Sequence, residues 1–275
     1  MSELWSKSII NPVPKKGDPS EPQNYRGIAL IPTAGKIYNR VLLNRIRPHL
    51  EPLLRINKSW FQPGRPTVAQ ILTFRRFVED IKANNLTAVL TVVDFKKAFD
   101  SVNRDKMFEI LKVYGILNQI VMARASMYHN TETIVCSPGG ETDFFAFHAG
   151  VLQGDTLAPF LLIIPLDYAV RSAIEGYEDL GFTLTERRSR RSAAVMITDT
   201  DFADDIALIS NNLDKVQSLL EGVETDAPEV ARHIDTGKTE YMAYNLRHRA
   251  TLLPYSQFKA NMGGQLIQVP RLLDR

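Results

Sequence analysis

"DFADDIALIS", residues 201–210, follows "AAVMIT" in one of the most apolar parts of a 275-residue chain. Three aspartates, Asp201, Asp204 and Asp205, fall within five positions of what otherwise reads as a buried strand. Successive side chains of a strand point to opposite faces, so Asp204 and Asp205 cannot both serve one site from a regular strand. They can if the chain reverses there. Val195 to Phe202 reads as one strand and Ile206 to Ser210 as the next, with Ala203-Asp204-Asp205 as a tight turn. Asp is common in turns, and "ADD" taken alone favours a solvated hairpin tip. Two carboxylates at such a tip repel unless a cation lies between them, and oxygen-only donors suit Mg²⁺ or Mn²⁺.

A second acid changes that balance. In "TAVLTVVDFKKAFDSVNRDKMFEILKVYG" (87–115), Thr87 to Val93 reads as a buried strand that ends at Asp94. On the alternation Asp94 shares a face with Ala88, Leu90 and Val92, and small Ala88 and Ala203 let two strands lie close. Acids at the ends of adjacent central strands suit a two-metal site for in-line phosphoryl transfer, with ions about 3.5–4 Å apart.

Around these strands the chain alternates periods. Residues 9–32 read as strand, loop and strand. Thr33 is expected to cap a helix through Arg47 that Pro48 stops. In it Ile37, Tyr38, Val41, Leu42 and Ile46 form the apolar face, and Lys36, Arg40 and Arg47 fall within about 40° of one another. Spacing alone makes that basic stripe a solvated face. Helices are expected over 67–85, over 104–114 behind an Asn103 cap, and over 119–130, 155–176 and 213–225. Two strands in 131–150 join at Pro138-Gly139-Gly140. Pro165 inside the 155–176 helix predicts a kink, since an interior proline removes a hydrogen bond. The order of elements predicts an α+β fold, an antiparallel sheet covered by helices.

Composition narrows the classes of function. One cysteine, Cys136, excludes a disulfide framework, and no Cys/His spacing suits zinc. No run of about 18 apolar residues and no secretory pattern occurs, which predicts an intracellular chain off the membrane, cytoplasmic or nuclear. The net charge of +2 hides an asymmetry. Residues 1–76 carry 13 Lys/Arg against 4 Asp/Glu, a net of +9 that leaves −7 for the remainder. A polyanion held by one lobe and a cation by the other would explain it; ordinary solvated surface would too.

The ordered set "PVPKKGD…NYRGIALIPTAGKIYNRVLLNRI", "VVDFKKAFDSVNRDKMFEILKVYG", "AGVLQGDTLAP", "DFADDIALIS" and "GKTEYMAYN" resembles the reverse transcriptase of non-LTR retrotransposons (long interspersed elements) from about residue 5 to 246. The resemblance implies a right-hand polymerase-like fold, with a palm sheet and basic fingers. It places fingers at 1–86, palm at 87–246 (115–150 associated with the fingers) and a truncated start of the primer-grip region at 247–275. The thumb, and an endonuclease ahead of the fingers, are expected to be missing. It further implies an RNA-directed DNA polymerase that adds dNTPs to a DNA primer on an RNA template with Mg²⁺.

Residue by residue, the resemblance makes Asp94, Asp204 and Asp205 the metal carboxylates, with the backbone carbonyl of Phe95 completing a shell. It makes Lys238 the proton donor to the pyrophosphate leaving group. Phe99 matches a steric gate against the 2′-hydroxyl, which argues against an RNA-dependent RNA polymerase on the same architecture. Gln153 and Gly154 match the nucleotide-pocket motif, and Arg26 the arginine that clamps the triphosphate. Lys15 or Lys16 could assist Arg26, and Lys36, Arg40, Arg47 and Arg65 would grip nucleic acid. Asp100 is expected to orient its turn. The family pattern departs at Trp60, Gln62 and Pro66, where an arginine is lost at Gln62, and at Thr200. A second class of function therefore stands beside the polymerase: a catalytically inactive remnant that only binds nucleic acid.

Overall fold

The computed structural model describes residues 6–55, 67–185, 195–202, 205–227, 233–235, 238–245 and 265–266. Strand β1 (Lys7–Pro14) turns back into β2 (Tyr25–Leu30), and helix α1 (Thr33–Leu50) follows. Helix α2 (Thr67–Ala83), strand β3 (Ala88–Val93), α3 (Arg104–Val113) and α4 (Asn118–Tyr128) come next. Short strands β4 (Glu132–Ser137), β5 (Gly140–Glu141) and β6 (Phe145–Ala146) precede helix α5 (Ala158–Ile174). Then come β7 (Phe182–Thr185), β8 (Val195–Ile197), β9 (Asp199–Phe202), β10 (Asp205–Ser210), α6 (Leu213–Asp226), β11 (Glu240–Tyr244) and β12 (Gln265–Leu266).

Most of these elements start and stop where local chemistry demands. The Asn103 side chain accepts from the Asp105 and Lys106 amides and opens α3. Asn212 does the same for α6. Gly115 ends α3 at φ +77°, the left-handed cap position that glycine adopts without penalty.

Several expectations change. Pro32, not Thr33, holds the N-cap place of α1, and the helix runs past Pro48 to Leu50. Pro48 loses its amide bond, but buried Ile46 and Leu50 anchor the last turn and the Glu51 amide bonds to the Arg47 carbonyl. The buried face of α1 is Gly35, Asn39, Leu42, Leu43, Ile46 and Leu50, so Ile37 (62% exposed) and Val41 (43%) face outward instead of inward. Residues 195–202 are not one strand either: β8 pairs with β7, β9 pairs with β10, and the change of partner falls at Thr198, whose carbonyl takes the Ile209 amide at 2.7 Å. Pro165 is accommodated within a continuous α5.

The chain divides into two compact units, Met1–Leu54 with Lys97–Pro165, and Arg55–Lys96 with Leu166–Arg275. The first unit holds a five-stranded sheet in the order β2-β1-β4-β5, with β6 also on β4. β1 pairs in parallel with β4 only over Lys7–Ile10, so Pro12 and Pro14 fall where β1 has β2 alone for a neighbour. A proline there breaks no central ladder. Helices α1 and α4, and α3 and α4, pack together in this unit.

The second unit is built on a sheet in the order β12-β11-β3-β10-β9, antiparallel except for the β11–β12 pair. One face packs Ala88, Leu90 and Ile209 against Phe77 and Ile81 of α2 and Phe182. The Phe77 and Phe182 rings meet edge to face at 5.0 Å. The opposite face buries Val89, Val93, Ile206 and Leu208 under α6. Each such side chain contributes about 1.5–3 kcal/mol, which makes this sheet a rigid support.

Candidate active site

Strand pairing in the second unit brings two of the expected acids, Asp94 and Asp205, and the expected Lys238 to one edge. The β3–β10 ladder ends with Val93 opposite Ile206, and one further step in that register sets Asp94 opposite Asp205. The β3–β11 ladder ends with Val92 opposite Glu240, and two further steps bring Lys238 across from Asp94. Those two side chains meet, with the lysine Nζ 3.1 Å from the Asp94 Oδ2 and 3.5 Å from the Asp235 Oδ2. Asp94 thus stands between a carboxylate on one neighbouring strand and an ammonium on the other. All lie on the face that carries Val92, which is 42% exposed, so this face is closed at its Ala88–Leu90 end and open at the Asp94 end.

The Phe95 carbonyl belongs to the same edge. Phe95 bridges to Ile234 through flanking bonds, the Asp235 amide to the Asp94 carbonyl at 2.7 Å and the Lys96 amide to the His233 carbonyl at 2.9 Å. In that antiparallel pattern the bridged residue's own carbonyl points to the other side of its strand, here the β10 side. Ala203 and Asp204 lie outside the described residues, between Phe202 and Asp205, which pair with each other.

Charges directly opposite on neighbouring strands destabilise a sheet when they are alike. Asp94 and Asp205 are alike, and Lys238 supplies the compensating cation. Its hydrogen bond to Asp94 holds the ammonium above the ordinary lysine range, against a slight pull from burial. Two carboxylates and a backbone carbonyl converging beside an ammonium form an oxygen donor set that fits a hard divalent ion.

Asp201, the third aspartate of the 201–205 stretch, has a different place. It is buried and paired with Arg55, whose Nη1 also lies 2.5 Å from Asp199 Oδ2 and whose Nε lies 3.2 Å from Asp167 Oδ1. Asp199 and Asp201 sit two apart, on one face of β9, so one guanidinium fork reaches both. Burial alone would discourage the charge on Arg55, but Asp201, Asp199 and Asp167 outweigh it and hold the guanidinium above its ordinary range. Acids at alternate positions of a buried strand are a sequence signal for a buried cation; the partner, 144 residues away in the chain, carries no such mark.

The residues expected to meet the nucleotide lie in the first unit. Arg26 is exposed on β2 opposite Val13. Three residues along, the Ala29 amide donates to the Gln153 carbonyl at 2.6 Å, and Gly154 packs on the Ala29 backbone. Phe99 is half-buried, and its carbonyl takes the Val151 amide at 2.8 Å. Arg104 Nε donates to the Gly150 carbonyl at 2.9 Å and fixes the same crossing. Asp100, an exposed residue, sits in the turn that its amide closes onto the Lys97 carbonyl, and partial desolvation of its carboxyl there raises it above the usual range despite Lys97 and Lys15. The Lys15 amide donates to the Asn24 carbonyl at 2.7 Å, beside exposed Lys16. On α1, Arg40 is exposed and Lys36 half-buried, whereas Arg47 is held by Glu51 at 3.1 Å and lies over the Phe160 ring at 5.7 Å. Arg65 lies outside the described residues.

The family model for reverse transcriptase (RNA-dependent DNA polymerase) matches residues 13–259, nearly the whole chain. The chain belongs to the reverse transcriptase family. The domain is 27% identical over 212 residues to a Pol polyprotein from the R2 retrotransposable element of Popillia japonica, covering 76% of this chain and 28% of that protein. It is 25% identical over 236 residues to a 149 kDa protein of transposon TX1 from Xenopus laevis, covering 85% of this chain and 17% of that one. The reverse transcriptase domain thus spans less than a third of the length of these relatives, which place it with non-LTR retrotransposons. Among solved structures it superposes on apo telomerase from Candida tropicalis with a TM-score of 0.61 at 16% identity, covering 88% of this chain and 51% of that one. The same fold is seen in telomerase of Candida albicans with a fragment of telomeric RNA, TM-score 0.61 at 11% identity, over 90% of this chain and 43% of that one.

The close approach at Gly154 of the reverse transcriptase domain gives a testable consequence. A Cβ there would lie 2.3 Å from the Ala29 carbonyl oxygen, and φ is +124°. Gly154→Ala is expected to destabilise the fold by about 2–3 kcal/mol, from overpacking and backbone strain together. Gly140 has a similar φ of +128° with nothing within 4 Å. Gly140→Ala therefore isolates the backbone part, and urea unfolding of both variants should rank Gly154→Ala as the more damaging.

Proposed function

We propose that the chain carries the nucleotide-adding centre of an RNA-directed DNA polymerase, extending a DNA primer 3′-hydroxyl with dNTPs on an RNA template. The observation that carries this reading is the placement of Asp94 between Asp205 and Lys238 at the open end of a rigid sheet. Asp94, Asp205 and the Phe95 carbonyl would hold divalent ions, with Asp204 as a further carboxylate. Two such ions, when bound, would make the primer hydroxyl a better nucleophile and neutralise charge on the triphosphate. Lys238, kept protonated by its carboxylate neighbours, is suited to give a proton to the departing pyrophosphate. Arg26 would bind triphosphate oxygens through its planar fork, and Gln153 and Gly154 would line the nucleotide pocket. Phe99 would reject the ribose 2′-hydroxyl. Lys15, Lys16, Lys36, Arg40, Arg47 and Arg65 would hold phosphates of the template–primer, and that binding would weaken steeply with salt. In this reading residues 1–86 act as fingers, 87–246 as palm, and 247–275 begin the primer grip.

The experiment is primer extension on an RNA template with dNTPs and Mg²⁺, the chain beside an Asp204→Ala/Asp205→Ala variant. Extension by the first and none by the second is the expected result. Failure of both to extend, with salt-sensitive template binding retained, would replace the polymerase by a nucleic-acid-binding remnant.

A further inference from the structure

Three polar side chains from three separate parts of the first unit form a closed, buried triangle. Asn39 of α1 donates through Nδ2 to Asp155 Oδ1 at 2.8 Å. Arg124 of α4 donates from Nη2 to Asp155 Oδ2 at 2.6 Å and from Nη1 to Asn39 Oδ1 at 3.0 Å. Asp155 Oδ1 also accepts the Leu157 amide at 3.1 Å, at the entry to α5. The three are 0%, 2% and 3% exposed. The Arg124 guanidinium lies 4.1 Å from the centre of the Tyr128 ring, which adds a cation–π contact.

A buried ion pair is an expensive way to hold helices together, since desolvating both charges offsets most of their attraction. Apolar side chains would do that as well. What a planar guanidinium with one arm on Asp155 and the other on Asn39 supplies is a fixed distance and direction. The fixed object here is Asp155, the residue directly after Gln153 and Gly154. The backbone of that segment is already tied to β2 by the Ala29 amide, which donates to the Gln153 carbonyl at 2.6 Å, and by the packing of Gly154 on the Ala29 carbonyl. The segment is therefore held at one end by β2, the strand that bears Arg26, and at the other by α1 and α4.

We propose that Arg124 and Asn39 are positioning residues that act through Asp155 to set the Gln153–Gly154 segment against β2. As a role in nucleotide binding this rests on the polymerase reading above; as a structural coupling it does not. The Ala29 amide reports the coupling directly, because its acceptor is the Gln153 carbonyl.

The test is amide hydrogen exchange on the full chain and on Arg124→Lys, which keeps the charge and loses the fork. Ala29 and residues 153–157 are expected to exchange about tenfold faster or more, while the rest of the β1–β2 ladder keeps its protection. Unchanged Ala29 protection would overturn the proposal. So would acceleration of the whole ladder in step with Ala29, which would mean general loss of stability. If Arg124→Lys does not fold, Asn39→Ala leaves the ion pair in place and carries the same expectation. Where the parent chain extends primers, Arg124→Lys should raise KM for dNTP more than it lowers kcat, and a fall in kcat alone would remove the link to nucleotide binding. A parent chain that does not extend primers leaves the exchange result to decide the coupling by itself.

Discussion

An Arg55→Leu chain is expected to lose about 3–5 kcal/mol of stability, the usual cost of removing one partner from a buried ion pair. The loss should lie toward the top of that range. Arg55 is 12% exposed and faces Asp167, Asp199 and Asp201, whose side chains are 0–2% exposed. Arg171, 39% exposed, lies 3.3 Å from Asp167 as a second cation among the described residues. Taking the guanidinium away from three buried acids leaves their charges less compensated and loosens the sheet edge. Thermal denaturation should show a midpoint lowered by roughly 10 °C for a chain of this size. Arg55→Lys should fall between the two, because one ammonium cannot span three carboxylates as the fork does. Adding Asp199→Asn and Asp201→Asn to Arg55→Leu should return part of the loss. A midpoint within about 2 °C of the parent for Arg55→Leu would mean that the cluster is more hydrated than its burial indicates.

That cluster marks where reading from sequence stopped. The face of β3 shared by Ala88, Leu90, Val92 and Asp94, the reversal between β9 and β10, and the Asn103 cap were legible, because each follows from period-two alternation or from a side chain bonding to the next turn. Asp201 was legible as an acid within a buried strand, beside the Asp204–Asp205 turn, but its role was not. Its partner is Arg55, and nothing local to either residue names the other. The same holds for Asn39, Arg124 and Asp155, separated by 85, 31 and 116 positions and drawn together only by the fold. The outward Ile37 and Val41 of α1 show a different limit. An apolar stripe read from one helix gives a direction for burial only if its neighbours lie on that side, and here the inner face is set by Asn39 and Leu43.

The two arginine clusters also share a logic. Each ties a segment remote in the chain to a short stretch that leads into proposed machinery: Arg55 to β9, three residues ahead of Asp204, and Arg124 to Asp155, directly after Gln153 and Gly154. In both, the acid nearest the proposed site is held by a guanidinium on its own unit. That separates acids held by a described arginine from Asp94, whose described partner is the exposed Lys238 ammonium.

That separation is tested by Asp94→Asn, for which the expected result is loss of primer extension by at least about a thousandfold with little change in stability. The rate effect follows from removing a carboxylate that would anchor several kcal/mol of charge stabilisation, at about 1.4 kcal/mol for each factor of ten. The stability effect is small because the Lys238 side chain is 67% exposed and its pair with Asp94 is largely screened by water. Lys238 keeps Asp235 as a neighbour, and Asp205 no longer faces a second negative charge across the strands. The ammonium, raised above its ordinary range first by Asp94, should move back toward that range. If Lys238 supplies the proton to the leaving group, residual activity of the variant should then fall away at a lower alkaline pH than that of the parent. A second measurement does not depend on catalysis: titration with Mn²⁺, followed by the paramagnetic signal of the free ion, should show weaker binding to Asp94→Asn than to the parent. Parent-like extension by the variant would remove Asp94 from the centre of the mechanism, and parent-like Mn²⁺ binding would move the ion away from this edge of the sheet.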